Sequence, residues 1–129
     1  MKDSPTLFIV GYFGFELVGD EAILASMLAD FRQRYPTCRV IVTSHNPENT
    51  SAVHGVDAIP FGDSISLVSA IRASDIVLVG GGGVFNEYSP GQHADLFADE
   101  QDFNTLCTNV PVLARFLDKP CMIFAVGVE

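Results

Sequence analysis

The chain has no tryptophan, only three cysteines, and seven Lys and Arg residues against sixteen Asp and Glu. The resulting formal charge of −9 repels a phosphate backbone, which argues against nucleic acid as a partner. It also works against adhesion to an anionic membrane surface. No apolar run has the length that a bilayer span requires, so no integral membrane segment is predicted. Cys38, Cys107 and Cys121 are odd in number and far apart, and no CxxC or Cys/His spacing points to zinc. Cys38 and Cys121 each adjoin an apolar run and read as buried free thiols, which fits a reducing, cytoplasmic setting. Met1-Lys2-Asp3-Ser4-Pro5 does not open a signal peptide, because the apolar run after it is short and lacks a cleavage pattern.

What is present is a strongly apolar chain of 129 residues, 48% hydrophobic and with ten Phe, enough for one domain with a substantial core. Short Val- and Ile-rich runs alternate with helical patterns. Strands are predicted at Leu7 to Val10, Arg39 to Thr43, Ala58-Ile59, Ile76 to Val79 and Cys121 to Val126. Helices are predicted at Asp20 to Arg34, Pro47 to His54 with Asn46 as cap, Asp63 to Ala73, and Glu100 to Leu117. In the third of these Ile65, Val68 and Ile71 are expected to face inward, and in the fourth Pro111 either interrupts the helix or starts another. Strand–helix alternation implies βαβ units, hence an α/β fold: a Rossmann-like, doubly wound parallel sheet of about five strands in the order 3-2-1-4-5. The chain ends just after a predicted strand, at Gly127-Val128-Glu129, so it is expected to be the N-terminal domain of a larger protein.

Two glycine-rich segments follow predicted strands: Gly11 to Gly19, and Gly80 to Gly83. In an open parallel sheet ligands bind beyond the carboxyl ends of the strands, where the strand order reverses, so both segments are expected to wall one crevice. The first is not a dinucleotide fingerprint, because its glycines fall at 11, 14 and 19 rather than in G-x-G-x-x-G. Asp20 reads as a helix N-cap supported by Glu21, and the same acidic pair can accept hydrogen bonds from hydroxyl groups, as sugar binding needs. Gly80 to Gly83 is read as a turn whose successive N–H groups form a concave oxygen site, or alternatively as close helix–strand packing. The segment after it, Val84 to His93, carries Asn86 and Glu87 and is long enough to be functional. His45 and His54 read as surface or satisfied histidines, and His93 lies at the end of the long segment.

With both segments in view, the chain resembles the amino-terminal half of the polysaccharide pyruvyl transferase family. The resemblance is carried by Gly11-Tyr12-Phe13-Gly14-Phe15, Gly19-Asp20-Glu21-Ala22-Ile23-Leu24, Ala73-Ser74-Asp75-Ile76-Val77-Leu78-Val79-Gly80-Gly81-Gly82, and Lys119-Pro120 leading to Gly127-Val128. It implies two facing Rossmann-like domains that move an enolpyruvyl unit from phosphoenolpyruvate onto two hydroxyls of a sugar, forming a ketal in polysaccharide or exopolysaccharide biosynthesis. It implies no cofactor, and partners that are a saccharide acceptor, phosphoenolpyruvate and a further C-terminal domain carrying most of the donor's cationic groups. Asp20 is then the candidate catalytic residue. Gly14, Gly19, Glu21, Gly81, Gly82, Gly83, Asn86 and Glu87 are candidate substrate contacts, and no metal is expected. Glu16-Leu17 stand where members commonly have Gly-Asn, and Gly83-Val84-Phe85-Asn86-Glu87 stand where a Ser and later a Gln-Asp are usual. Two other readings remain open: a nucleotide-sugar glycosyltransferase domain, and a non-catalytic Rossmann-like binding module.

Overall fold

Leu7, Phe8, Ile9 and Val10 are all buried, which requires a strand covered on both faces. The computed structural model describes residues 3–85 and 103–128. Its elements run β1 (Thr6–Val10), α1 (Val18–Arg34), β2 (Arg39–Ser44), α2 (Pro47–His54), β3 (Asp57–Pro60), α3 (Ser64–Ala73), β4 (Ile76–Phe85), α4 (Phe103–Phe116) and β5 (Cys121–Val128). The sheet is parallel throughout, in the order β3-β2-β1-β4-β5. This is the Rossmann-like α/β arrangement that the strand–helix alternation predicts.

Side chains alternate across the strands and divide the core in two. Phe8, Val10, Ile41, Val77 and Val79 pack under Leu67, Ala70 and Ile71 of α3 and Val110 and Ala114 of α4. Leu7, Ile9, Val40, Val42 and Leu78 pack under Leu24, Met27 and Leu28 of α1, with Phe13 closing the cluster. At the end of α4, Asp118 takes a left-handed φ of 56° while Lys119 N–H donates to Ala114 O and Asp118 N–H to Arg115 O. That closing turn releases the chain into Pro120 and β5.

Several expectations need correction. Gly80 to Gly83 is not a turn: the residues continue β4, with Gly80 paired to Phe124 and Gly82 to Val126, and a register irregularity follows before Phe85. β5 extends far enough to keep pairing with them, and a Cβ at Gly80 would run into the Phe124 carbonyl, so glycine here permits close strand packing. α1 begins at Val18, with Leu17 in the cap position and no side-chain cap, so Asp20 is not the N-cap. Ile65 is 81% exposed rather than inward, because the buried stripe of α3 is Leu67, Ala70 and Ile71, on the other side of the helix. Pro111 neither ends nor begins a helix but sits inside α4. Cys38 is half-buried and Cys121 exposed, so only the first approaches the buried thiol expected of both.

Candidate functional site

β1 and β4 are neighbours that pair in register through Val10 and Val79, so Gly11 leaves the sheet beside Gly80, which continues β4. The segment from Gly11 to Leu17 then folds over the carboxyl ends of β1 and β2. Thr43 Oγ1 accepts from Gly11 N–H and donates to Gly11 O, both at 3.2 Å. His45 N–H donates to Phe13 O at 2.9 Å. Gly14 has φ 85°, and a Cβ there would lie 2.7 Å from Asn46 N and 2.8 Å from His45 N. Both the backbone conformation and the close approach demand glycine.

Glu21 fastens this segment to two helices. Its Oε1 accepts from Gly14 N–H at 2.9 Å, and its Oε2 lies 2.7 Å from His54 Nε2 at the end of α2. A carboxylate only accepts, so His54 donates through Nε2–H. The His54 side chain is 9% exposed and that of Glu21 28%. Arg32, near the C-terminus of α1, donates to the His54 and Gly55 carbonyls at 2.8 and 2.9 Å, a second tie between α1 and the same end of α2. Both oxygens of Glu21 are thus engaged by the protein itself.

Asp20 is placed differently. It is the third helical residue of α1, half-buried, and makes no hydrogen bond to any described residue. Burial, with a smaller contribution from the neighbouring Glu21 charge, holds its carboxyl above the ordinary aspartate range. Gly19 beside it is exposed, and a Cβ there would meet nothing within 4 Å. Neither packing nor φ requires this glycine, although glycine inside a helix costs about 0.5–1 kcal/mol. The result is a partly shielded carboxylate, unpaired among the described residues, next to an exposed glycine near the start of α1.

A set of rings lies on the same edge. Tyr12, Phe15 and His45 stack nearly parallel, and Phe61 leans against Phe15 and His45. His45 is the residue directly after β2 and Phe61 the residue directly after β3. Adjacent parallel strands bring their ends side by side, which is how positions so distant in sequence meet. The sequence signal for this set is a run of aromatic residues just beyond consecutive strand ends.

The model of the polysaccharide pyruvyl transferase family matches residues 18–129. The chain belongs to this family. No curated relative matches the sequence.

In this pyruvyl transferase family member the matched region contains the Gly-Asp-Glu segment, where the structure separates two adjacent carboxylates into different situations. Glu16 has φ 59° and so bears a left-handed conformation with a full side chain. Of the candidate contacts, Gly14 lies on the segment between β1 and α1, and Gly19, Asp20 and Glu21 lie in the first turn of α1. Gly81, Gly82 and Gly83 lie in β4, and Asn86, Glu87 and His93 lie outside the described residues. Among the described residues no group of three or more His, Cys, Asp or Glu could hold a metal ion, and no helix is long and apolar enough to cross a membrane.

Proposed function

We infer that this domain forms the acceptor side of a pyruvyl transferase site that joins the pyruvyl group of phosphoenolpyruvate to a sugar as a ketal. The observation that carries the reading is Asp20: a half-buried carboxylate with a raised pKa, no protein partner among the described residues, and an exposed glycine as its neighbour. A base that holds its proton more firmly than an ordinary aspartate is better matched to taking one from a hydroxyl. In the reaction, one acceptor oxygen bonds to C2 of the enolpyruvyl unit while C3 gains a proton and becomes a methyl group. The second acceptor oxygen then bonds to C2 as the C2–O bond to phosphate breaks, and phosphate leaves with the electron pair. The two hydroxyl protons balance the methyl proton and the one released with phosphate. Asp20 accepts a hydroxyl proton, and Glu21 holds the Gly14 segment in position beside it.

The acidity of this chain is consistent with a division of labour. A triply charged donor needs Arg, Lys or other cationic groups, and those are assigned to a second Rossmann-like domain following this one in a cytoplasmic enzyme of exopolysaccharide synthesis. The test is to incubate the intact protein with phosphoenolpyruvate and a saccharide acceptor and follow phosphate release together with the new ketal methyl signal by NMR. Acceptor-dependent release with that methyl signal supports the reading. Release without an acceptor, or none at all, refutes it. The domain alone is expected to be inactive.

A further inference from the structure

The ring stack after β1 and β2 has no evident place in the core. Tyr12 and Phe15 have ring centroids 3.9 Å apart at 9°, and Phe15 and His45 are 4.4 Å apart at 12°. Phe15 is the middle plate, with a ring against each face. Phe61 braces the edge, 5.8 Å from Phe15 and 6.2 Å from His45, in tilted contacts. Phe13, within the same segment, is buried at 1% exposure and belongs to the α1-side core, whereas Tyr12, Phe15 and His45 belong to neither core cluster. His45 is exposed. Its backbone is fixed by the bond to Phe13 O, and the next residue, Asn46, donates from its N–H to Ser44 Oγ at 2.9 Å. A terminal ring is therefore presented to solvent on a firmly held backbone.

We propose that the outer face of His45, carried by Phe15 and Tyr12, is the plate on which a pyranose ring of the acceptor stacks. The choice of a saccharide rests on the transferase reading above; the existence of a ring-stacking site rests on the stack itself. One face of a pyranose is lined with C–H groups that meet the electron-rich face of an aromatic ring favourably. Its hydroxyls lie at the rim, where carboxylates can accept from them. Glu16, exposed, left-handed and next in sequence to Phe15, offers a carboxylate for that role. An uncharged sugar is also not repelled by a chain of net charge −9.

The experiment is an NMR titration of the full chain with methyl β-galactopyranoside, read at the ring signals of Tyr12, Phe15 and His45, with buried Phe8 as the control. The expected result is a saturable shift of the stack signals with Phe8 unmoved. His45→Ala should weaken binding about three- to tenfold, and His45→Phe should restore it. Three results overturn the proposal: no shift of the stack signals into the hundreds of millimolar, an unchanged Kd in His45→Ala, or a response to uridine monophosphate but not to the glycoside. The two readings fail separately. Glycoside binding at the stack without pyruvyl transfer by the intact protein leaves the plate standing and refutes the transferase reading. Transfer whose acceptor KM is unmoved by His45→Ala does the reverse.

Discussion

Replacing Glu21 separates a structural anchor from a substrate contact. Glu21→Ala removes the acceptor for Gly14 N–H, on a buried residue, and the partner of His54 Nε2. Stranding a buried polar group costs about 1–3 kcal/mol, and a hydrogen bond to a charged group is worth about 1.5–3 kcal/mol. The two losses are not additive, because both follow from removing one side chain, and water can enter the space it leaves. The expected destabilisation is about 2–4 kcal/mol. Glu21→Gln keeps a carbonyl oxygen for Gly14, and His54 can accept from the new amide by changing tautomer, so its cost should fall to about 1 kcal/mol or less. Urea unfolding of the three proteins, compared at constant slope, measures both differences. Glu21→Ala within about 0.5 kcal/mol of the parent, or Glu21→Gln as damaging as Glu21→Ala, would refute the anchoring role.

Gly80→Ala should destabilise by about 1–3 kcal/mol, because its Cβ meets the Phe124 carbonyl on the paired strand; an unchanged urea midpoint would show that β4 and β5 can part freely. Glu16→Gly relieves a left-handed residue and should leave stability unchanged or raise it by up to about 1 kcal/mol; a clear loss in the same assay would mean that the Glu16 side chain supports the fold. Asp63 caps α3 by accepting from Ile65 N–H and from the Ser66 hydroxyl, and the Ser66 bond is the main cause of its lowered pKa. Its contribution is present above the ordinary aspartate range and is lost as pH falls through the depressed value. Asp63→Ala should therefore melt earlier than the parent at neutral pH, with the gap closing in acid; a gap independent of pH would contradict this.

The alternation of buried strands and amphipathic helices was legible because β1, β2 and β4 are covered on both faces and read as unbroken apolar runs. Together with the crossover rule they define the strand order. The glycine run was misread because glycine marks both turns and close strand packing, and only the pairing of β4 with β5 distinguishes them. Asp20 looked like a cap because a carboxylate before an apolar periodic stretch usually is one. Here the helix starts earlier, on a segment held by Glu21 rather than by a cap. The Glu21–His54 pair and the Tyr12–Phe15–His45 stack join residues far apart in sequence. No local pattern announces the Glu21–His54 pair between α1 and α2, whereas the stack is foreshadowed by aromatic residues just beyond the ends of adjacent parallel strands.

Asp20→Asn in the intact protein tests the central claim most directly. The substitution keeps size and shape while removing ionisation. Because the folded-state pKa of Asp20 is raised, its ionised form opposes folding as pH rises through the window just above the ordinary aspartate range. The Asn variant should thus be as stable at neutral pH as the parent, or slightly more so. If Asp20 takes the acceptor proton, phosphate release from phosphoenolpyruvate in the presence of the sugar should fall about 10²- to 10⁴-fold with melting temperature preserved. A variant that keeps both its melting temperature and its transfer rate would contradict the account.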